Sequence, residues 1–430
     1  MRLFGNMEVK NNTLYIGGIS AIDLVKEHGS PLYVMDEDLI RKNCKEYYKD
    51  FKVEEMGNKV AYAGKAFLTK AMCRLVKEEG LYLDVVSGGE LYTAYKSEFP
   101  MDKIYFHGNN KTLDEIQMGI DLGVGRFVVD NFDEIDIINE IAREKGIVQK
   151  IILRISPGIE AHTHDYIKTG QVDSKFGFTL IEDEAFKAVE KSIKYSNINL
   201  AGLHCHIGSQ IFETTPFEDE VDIMLELVND VYKKFDYKLE ELDLGGGFGI
   251  YYKEGDKAKT AEEYCKSIIN RAIKKAKELK MNLPILTIEP GRSIVGNAGI
   301  TLYTVGAIKD IPNIRKYVSV DGGMTDNIRP ALYNAEYECL VANNVVGEVS
   351  EKVTIAGKCC ESGDILLTDI VMPQVNRGDV LAILSTGAYG YAMCNNYNKT
   401  PKPPVVFVNN GSCRLVCKRQ SYEELLSNEI

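Results

Sequence analysis

Lys65 follows the apolar run KVAYAG, a strand-like stretch that ends on a primary amine. Partial burial of a lysine stem at a strand end lowers the amine pKa and yields the nucleophile that Schiff-base chemistry needs. Taken alone, the residue also reads as an ordinary surface lysine. The run LDLGGGFGI, with Gly245, Gly246, Gly247 and Gly249, is more specific. Glycines after a strand expose backbone N–H groups to an anion, and this many exceed what a tight turn needs, so phosphate is the favoured ligand. The spacing is not a dinucleotide fingerprint, which requires G-x-G-x-x-G and a downstream ribose-binding acid. EPGRSIV sets Glu289 at the end of another apolar run, with Arg292 just after it. Such a carboxylate can hold a protonated ring nitrogen, and the guanidinium can grip a carboxylate or phosphate through two parallel hydrogen bonds. A helix-capping acid and a surface cation are the plainer readings.

His107, His162, His164, His204 and His206 account for five of the six histidines. His204 and His206 are expected on opposite faces of one strand, only one of them lining a barrel mouth. There is no H-E-x-x-H, so zinc is disfavoured against an aromatic plate or a core histidine. Further along, DGGMTDNIRPALYNAEY offers Arg329 and Tyr333 for a carboxylate, and GKCCESGD offers Cys360 as a proton source and Glu361 as an ammonium partner. GAYGYAM places Tyr389 beside glycines. Each stretch is equally a set of β-turns.

The elements that must position these residues follow from hydrophobic periodicity. Eight apolar runs, at 59–63, 83–87, 104–108, 127–130, 151–156, 200–208, 242–246 and 286–290, alternate with helical stretches. Thr112 with Glu115 and Asn131 with Glu134 have the spacing of an N-cap and its acid, and Gly80, Gly123 and Gly146 stand where C-cap glycines belong. This pattern predicts a parallel (β/α)8 barrel, with an open doubly wound sheet as the alternative. In a barrel the site lies at the C-terminal strand ends, where Lys65, Glu90, His107, Arg154, His206, the glycine run and Glu289 all fall. After residue 300 short β-rich runs predict an all-β sandwich or small barrel, completed by an N-terminal hairpin. The expected domains are 28–298 for the barrel, and 1–27 with 299–430 for the β domain.

The 430 residues carry 51 Lys and Arg against 63 Asp and Glu, a net charge of −12, which argues against nonspecific nucleic-acid binding. Ten scattered cysteines make no paired CxxC, so no zinc site is predicted and reduced thiols in the cytoplasm are expected. No signal-peptide h-region opens the chain, and no 18-residue apolar run is present.

In this order, YAGKAF, SGGEL, FHGNNKT, LRISPGI, THDYIKTGQVDSKFG, GLHCHIGSQ, LDLGGGFGI, EPGRSIV, DGGMTDNIRPALY, CCESGD and GAYGYAM resemble the diaminopimelate decarboxylase family. That family belongs to the alanine racemase-like, fold type III pyridoxal-phosphate group. The resemblance implies decarboxylation of meso-2,6-diaminopimelate to L-lysine, the last step of lysine biosynthesis. It implies Lys65 as the Schiff-base lysine, and Asp84, His206, Ser209, Gly246, Gly247, Glu289, Gly291, Arg292 and Tyr389 around pyridoxal 5′-phosphate. His206 would stack on the ring and Glu289 would pair with its nitrogen. Arg292, Arg329, Tyr333, Glu361 and Tyr389 would bind substrate, Cys360 would donate the proton, and no metal is implied. Cys360 and Glu361 would reach the barrel of a second copy, making a homodimer. Gly64, before the lysine, departs from the bulkier residue common there. Fold-mate decarboxylases of ornithine, lysine, arginine or carboxynorspermidine are the nearest alternatives. An ornithine enzyme commonly carries Asp beside the cysteine, so Cys-Glu-Ser favours diaminopimelate.

Overall fold

Eight short buried strands carry the first half of the architecture: β1 (Lys59–Ala63), β2 (Tyr82–Val85), β3 (Ile104–Phe106), β4 (Arg126–Val129), β5 (Gln149–Ser156), β6 (Ile198–Cys205), β7 (Glu241–Asp243) and β8 (Ile285–Ile288). In this computed structural model each pairs in parallel with the next, and β8 pairs with β1. The sheet therefore closes into an eight-stranded barrel, and the open-sheet alternative falls. The structure describes residues 2–53, 56–158 and 173–430; His162, His164 and the whole THDYIKTG stretch lie outside them.

Small and large side chains fill the lumen together. Ala61 and Ala201 lie with Tyr105, Val128 and Ile152 in one buried cluster, the interdigitation that makes such a barrel a packed core instead of a pore. At the strand starts, Glu241 on β7 accepts from Lys59 of β1 at 2.8 Å and from Arg126 of β4 at 2.7 Å. The Tyr105 hydroxyl donates to the same carboxylate at 3.2 Å. The helices begin and end as their caps dictate. Thr112 and Glu115 form a full capping box, Asn131 caps through Glu134 N–H, and Gly123 and Gly146 end their helices in the left-handed conformation.

The strands stop earlier than the apolar runs suggest. Ser87 is not a strand residue; its hydroxyl accepts from Glu90 N–H and caps the helix Gly88–Tyr95. β6 ends at Cys205, β7 at Asp243 and β8 at Ile288. Consequently Lys65, His206, the glycine run and Glu289 sit just past strand ends, on turns whose backbone is not committed to the sheet.

The chain divides into two compact units. One is the barrel, Asn43–Gly249 with Ala258–Gly291; the other is β-rich, Met1–Lys42 with Ile250–Lys257 and Arg292–Ile430. Gly299–Ile311 is the central strand of the second unit, pairing with Arg315–Val320, Val380–Ile383 and Leu32–Asp36. Leu32–Asp36 also pairs in parallel with Val405–Asn409. The expected boundary at residue 28 puts LYVMD, at 32–36, in the barrel segment; in the structure it is buried throughout. Here the same burial comes from being an interior strand of the β unit. The N-terminal strands Met7–Lys10, Thr13–Ile16 and Ile19–Ser20 form a separate antiparallel sheet. Its Leu14 and Ile16 share a core with Val34, Ile300 and Val408.

Candidate active site

Glu289 follows β8 and is 7% exposed. Its Oε1 lies 2.7 Å from His107 Nε2, just past β3, and its Oε2 lies 3.3 Å from His204 Nε2 on β6. Burial pushes this carboxyl up, but the interactions with His107 and then His204 outweigh it and hold Glu289 well below the usual carboxylate range. Burial pushes His204 down to about 3. Burial, and then the neighbouring Glu289 charge, push Asp243 at the end of β7 well up. Asp84 on β2 is likewise raised, to about 6, by burial. The strand ends thus hold, in Glu289, a buried carboxylate kept ionised beside two histidines, an acceptor for a positively charged donor.

Lys65 lies on the short 3-10 turn Gly64–Ala66 directly after β1, and its side chain is exposed. The burial expected from its apolar strand is not there: the strand ends at Ala63, and Lys65 stands on the turn beyond it. Its charge is nevertheless felt by Asp84, Glu90 and His206. Gly64 suits the close packing: a Cβ there would lie 2.7 Å from the Asp84 carbonyl oxygen.

His204 and His206 do not face opposite ways. Residues two apart on a strand share a face, and the intervening one points away. Cys205 is the outward residue, its thiol donating to Glu220 of the helix Thr215–Phe235 at 2.8 Å. His204 reaches Glu289, whereas His206 lies beyond the strand end and accepts at Nδ1 from Gly246 N–H at 3.3 Å. Burial and then the Lys65 charge push His206 well down. Ser209, three residues on, is half-buried.

The glycine run is tighter than a phosphate argument alone requires. Gly245 and Gly247 have φ of +60° and +106°, and a Cβ at Gly246 would lie 2.2 Å from the Glu289 carbonyl oxygen. A Cβ at Gly291 would lie 2.8 Å from the Ala63 Cβ. Backbone packing therefore accounts for these glycines, and the anion-binding reading must rest on other grounds.

In the β-rich unit, Arg292 opens the short helix Arg292–Val295 and is 8% exposed. Its Nη1 donates to the Tyr252 hydroxyl at 2.6 Å, and Arg329 Nη1 donates to the same oxygen at 3.3 Å and to Tyr337. The Arg292 guanidinium also lies 4.7 Å from the centre of the Tyr389 ring, a cation–π contact. Tyr389 has φ +59°, strained for a bulky residue. Tyr252 and Tyr337, which the sequence reading did not single out, thus join the two predicted arginines. Tyr333 ends the helix Arg329–Tyr333 and is half-buried.

Cys360 and Glu361 are exposed on a loop whose shape is set by Asp364. That carboxylate, 2% exposed, accepts from Met324 N–H at 2.6 Å and Cys359 N–H at 2.8 Å. Cys360 N–H donates to Asn398 Oδ1 at 2.9 Å. This holds the thiol outward without burying it.

The barrel's donor set suits pyridoxal phosphate. It offers an exposed primary amine for a Schiff base and a buried ionised carboxylate for a cationic ring nitrogen. Asp84 Oδ1 is buried with no hydrogen-bond partner among the described residues. His107, His204 and Glu289 also bring three metal-type ligand atoms within 4.8 Å of one another. Hydrogen bonding to a carboxylate needs the proton on each Nε2, however, and that is incompatible with ligation there.

Residues 37–296 match the family model described as pyridoxal-dependent decarboxylase, pyridoxal binding domain. The diaminopimelate decarboxylase of Bacillus methanolicus is 52% identical over 95% of this chain and 94% of its own length. That of Bacillus subtilis (strain 168) is 50% identical over 97% and 95%. The crystal structure of diaminopimelate decarboxylase from M. jannaschii in complex with L-lysine superposes with a TM-score of 0.93 at 39% identity, covering 99% of this chain and 98% of that one. With half its residues shared along nearly its whole length, the chain belongs to the diaminopimelate decarboxylase family of pyridoxal-dependent decarboxylases.

Proposed function

We infer that this protein decarboxylates meso-2,6-diaminopimelate to L-lysine and carbon dioxide with pyridoxal phosphate, as the last step of lysine biosynthesis. The observation that carries the reading is the ionised Glu289 carboxylate, buried at the barrel strand ends in the same electrostatic field as the Lys65 amine. When bound, the cofactor withdraws electrons from the bond to the departing carboxylate.

The chain's own residues do the rest. Lys65 would supply the primary amine that holds the cofactor's carbonyl carbon. Glu289 stabilises positive charge at the ring nitrogen, and so lowers the barrier in which that charge matters most. His206, kept neutral by burial, is available to cover the ring face, with Asp84, Ser209, Gly246, Gly247, Gly291, Arg292 and Tyr389 as further cofactor contacts. Arg292 and Arg329, joined through the Tyr252 hydroxyl, form a paired cation suited to the substrate's distal carboxylate. Tyr333 and Tyr389 complete that contact, and Glu361 pairs with the distal ammonium. Cys360 delivers the proton that replaces carbon dioxide on the α-carbon; an exposed thiol is accessible for this role.

Exposure of both Cys360 and Glu361 in one chain supports a homodimer in which they serve the partner's barrel. We place the enzyme in the cytoplasm, where its free thiols persist. Lys65→Ala should abolish both the visible band of bound cofactor and carbon dioxide release; retained turnover would falsify the Schiff-base role. Mixing Lys65→Ala with Cys360→Ala chains should restore part of the activity. Heterodimers that form yet remain dead would show that each site is built within one chain.

A further inference from the structure

Both oxygens of Glu289 are met by a histidine ring, and the sequence gives neither His107 nor His204 a role. The rings arrive from separate strand ends, β3 and β6, at 2.7 Å and 3.3 Å. They touch each other edge-on, centroids 4.8 Å apart and planes at 74°, so each limits the tilt of the other. An ionised carboxylate has no proton to give, so both contacts require the proton on the histidine Nε2. That choice leaves His204 Nδ1 bare, and this nitrogen is buried with no hydrogen-bond partner among the described residues. A buried polar atom left unpaired weakens the fold, and its retention needs a reason outside stability.

We propose that His107 and His204 are paired positioning residues for Glu289, each donating its Nε2–H to a different oxygen and so fixing the carboxylate as an oriented, acceptor-only partner for the cofactor's ring nitrogen. The proposal rests on the decarboxylase reading above. His204 is suited to the part because it stays uncharged and donates without neutralising the carboxylate. Two donors at fixed angles leave the carboxylate little freedom to turn, and a preorganised charge has little reorganisation to undergo during the reaction.

The test compares wild type, His107→Leu, His204→Phe, His107→Gln and His204→Gln, each also combined with Glu289→Gln, after reconstitution with pyridoxal phosphate. The readouts are kcat, KM, the absorption spectrum of the bound cofactor and its dissociation constant. The donor-free variants should lower kcat by about tenfold or more, the scale of losing a group that orients a reactive partner. They should move KM by less than about threefold and shift the visible band. The Gln variants, which keep an N–H near the Nε2 position, should recover to within about threefold of wild type. In the Glu289→Gln background the same changes should have less than about a twofold effect, because no carboxylate remains to be oriented. The proposal is overturned by an unchanged kcat and spectrum in the donor-free variants, or by losses of equal size in the Glu289→Gln background. If one donor-free variant does not fold, the other decides. Wild-type protein that takes up no cofactor and releases no carbon dioxide would sink the decarboxylase reading; an active wild type with indifferent variants would sink only this inference.

Discussion

Glu220→Gln tests whether the barrel wall holds a protonated carboxyl. Glu220 is 0% exposed; its Oε1 accepts from the Cys205 thiol, and its Oε2 has no partner among the described residues. Burial, with the Glu289 charge adding to it against the Cys205 hydrogen bond, pushes the pKa from the ordinary 4.5 to about 8. Between those values the native state keeps a proton that the unfolded chain has lost. Stability therefore falls as pH rises through this window, and the loss is complete above about 8. At about 1.36 kcal/mol per pH unit, a window of about 3.5 units amounts to roughly 5 kcal/mol at its upper end. Glutamine is uncharged throughout and escapes this penalty, while its extra amide adds an offset that does not vary with pH. The stability difference, variant minus wild type, should thus climb by about 1.4 kcal/mol per pH unit from about pH 6 to about pH 7.5, and level off above about pH 8. Urea denaturation at matched protein concentration measures it, and the slope, not the offset, is the diagnostic quantity. A difference that stays flat with pH would refute the reasoning, since it would mean that Glu220 titrates alike in the folded and unfolded chains.

Two other perturbations follow from the same geometry. Glu241→Gln leaves buried Arg126 and partly buried Lys59 without their shared counter-ion, which should cost about 3 kcal/mol and lower the urea midpoint; an unmoved midpoint would mean that water or another acceptor already compensates. Tyr252→Phe removes the oxygen that joins Arg292 to Arg329, a charge-assisted bond worth about 1.5–3 kcal/mol. It should raise KM for meso-diaminopimelate by about tenfold or more with a smaller change in kcat, and an unchanged KM would remove Tyr252 from substrate binding.

Much of this protein is determined by local sequence. The eight apolar runs, the capping pair Thr112 and Glu115, and the glycines at 123 and 146 are short-range signals, and strand and helix formation obeys them. Motif order also carries the family. Strand ends were less legible, because an apolar residue such as Val86 fits a turn as well as a strand; there it is exposed past the end of β2. Lys65 misleads for the same reason: an apolar run before a lysine does not say where the strand stops. What only the tertiary structure decided is which distant groups meet. His107 lies 182 residues from Glu289 and His204 lies 85 from it, and closure of the barrel brings them together. Tyr252 joins Arg292 and Arg329 in the same manner, across 40 and 77 residues. Periodicity reports which face of an element is buried. It carries no record of which other element lies against that face, so the orientation of the Glu289 carboxylate is a property of the closed sheet and not of any one strand.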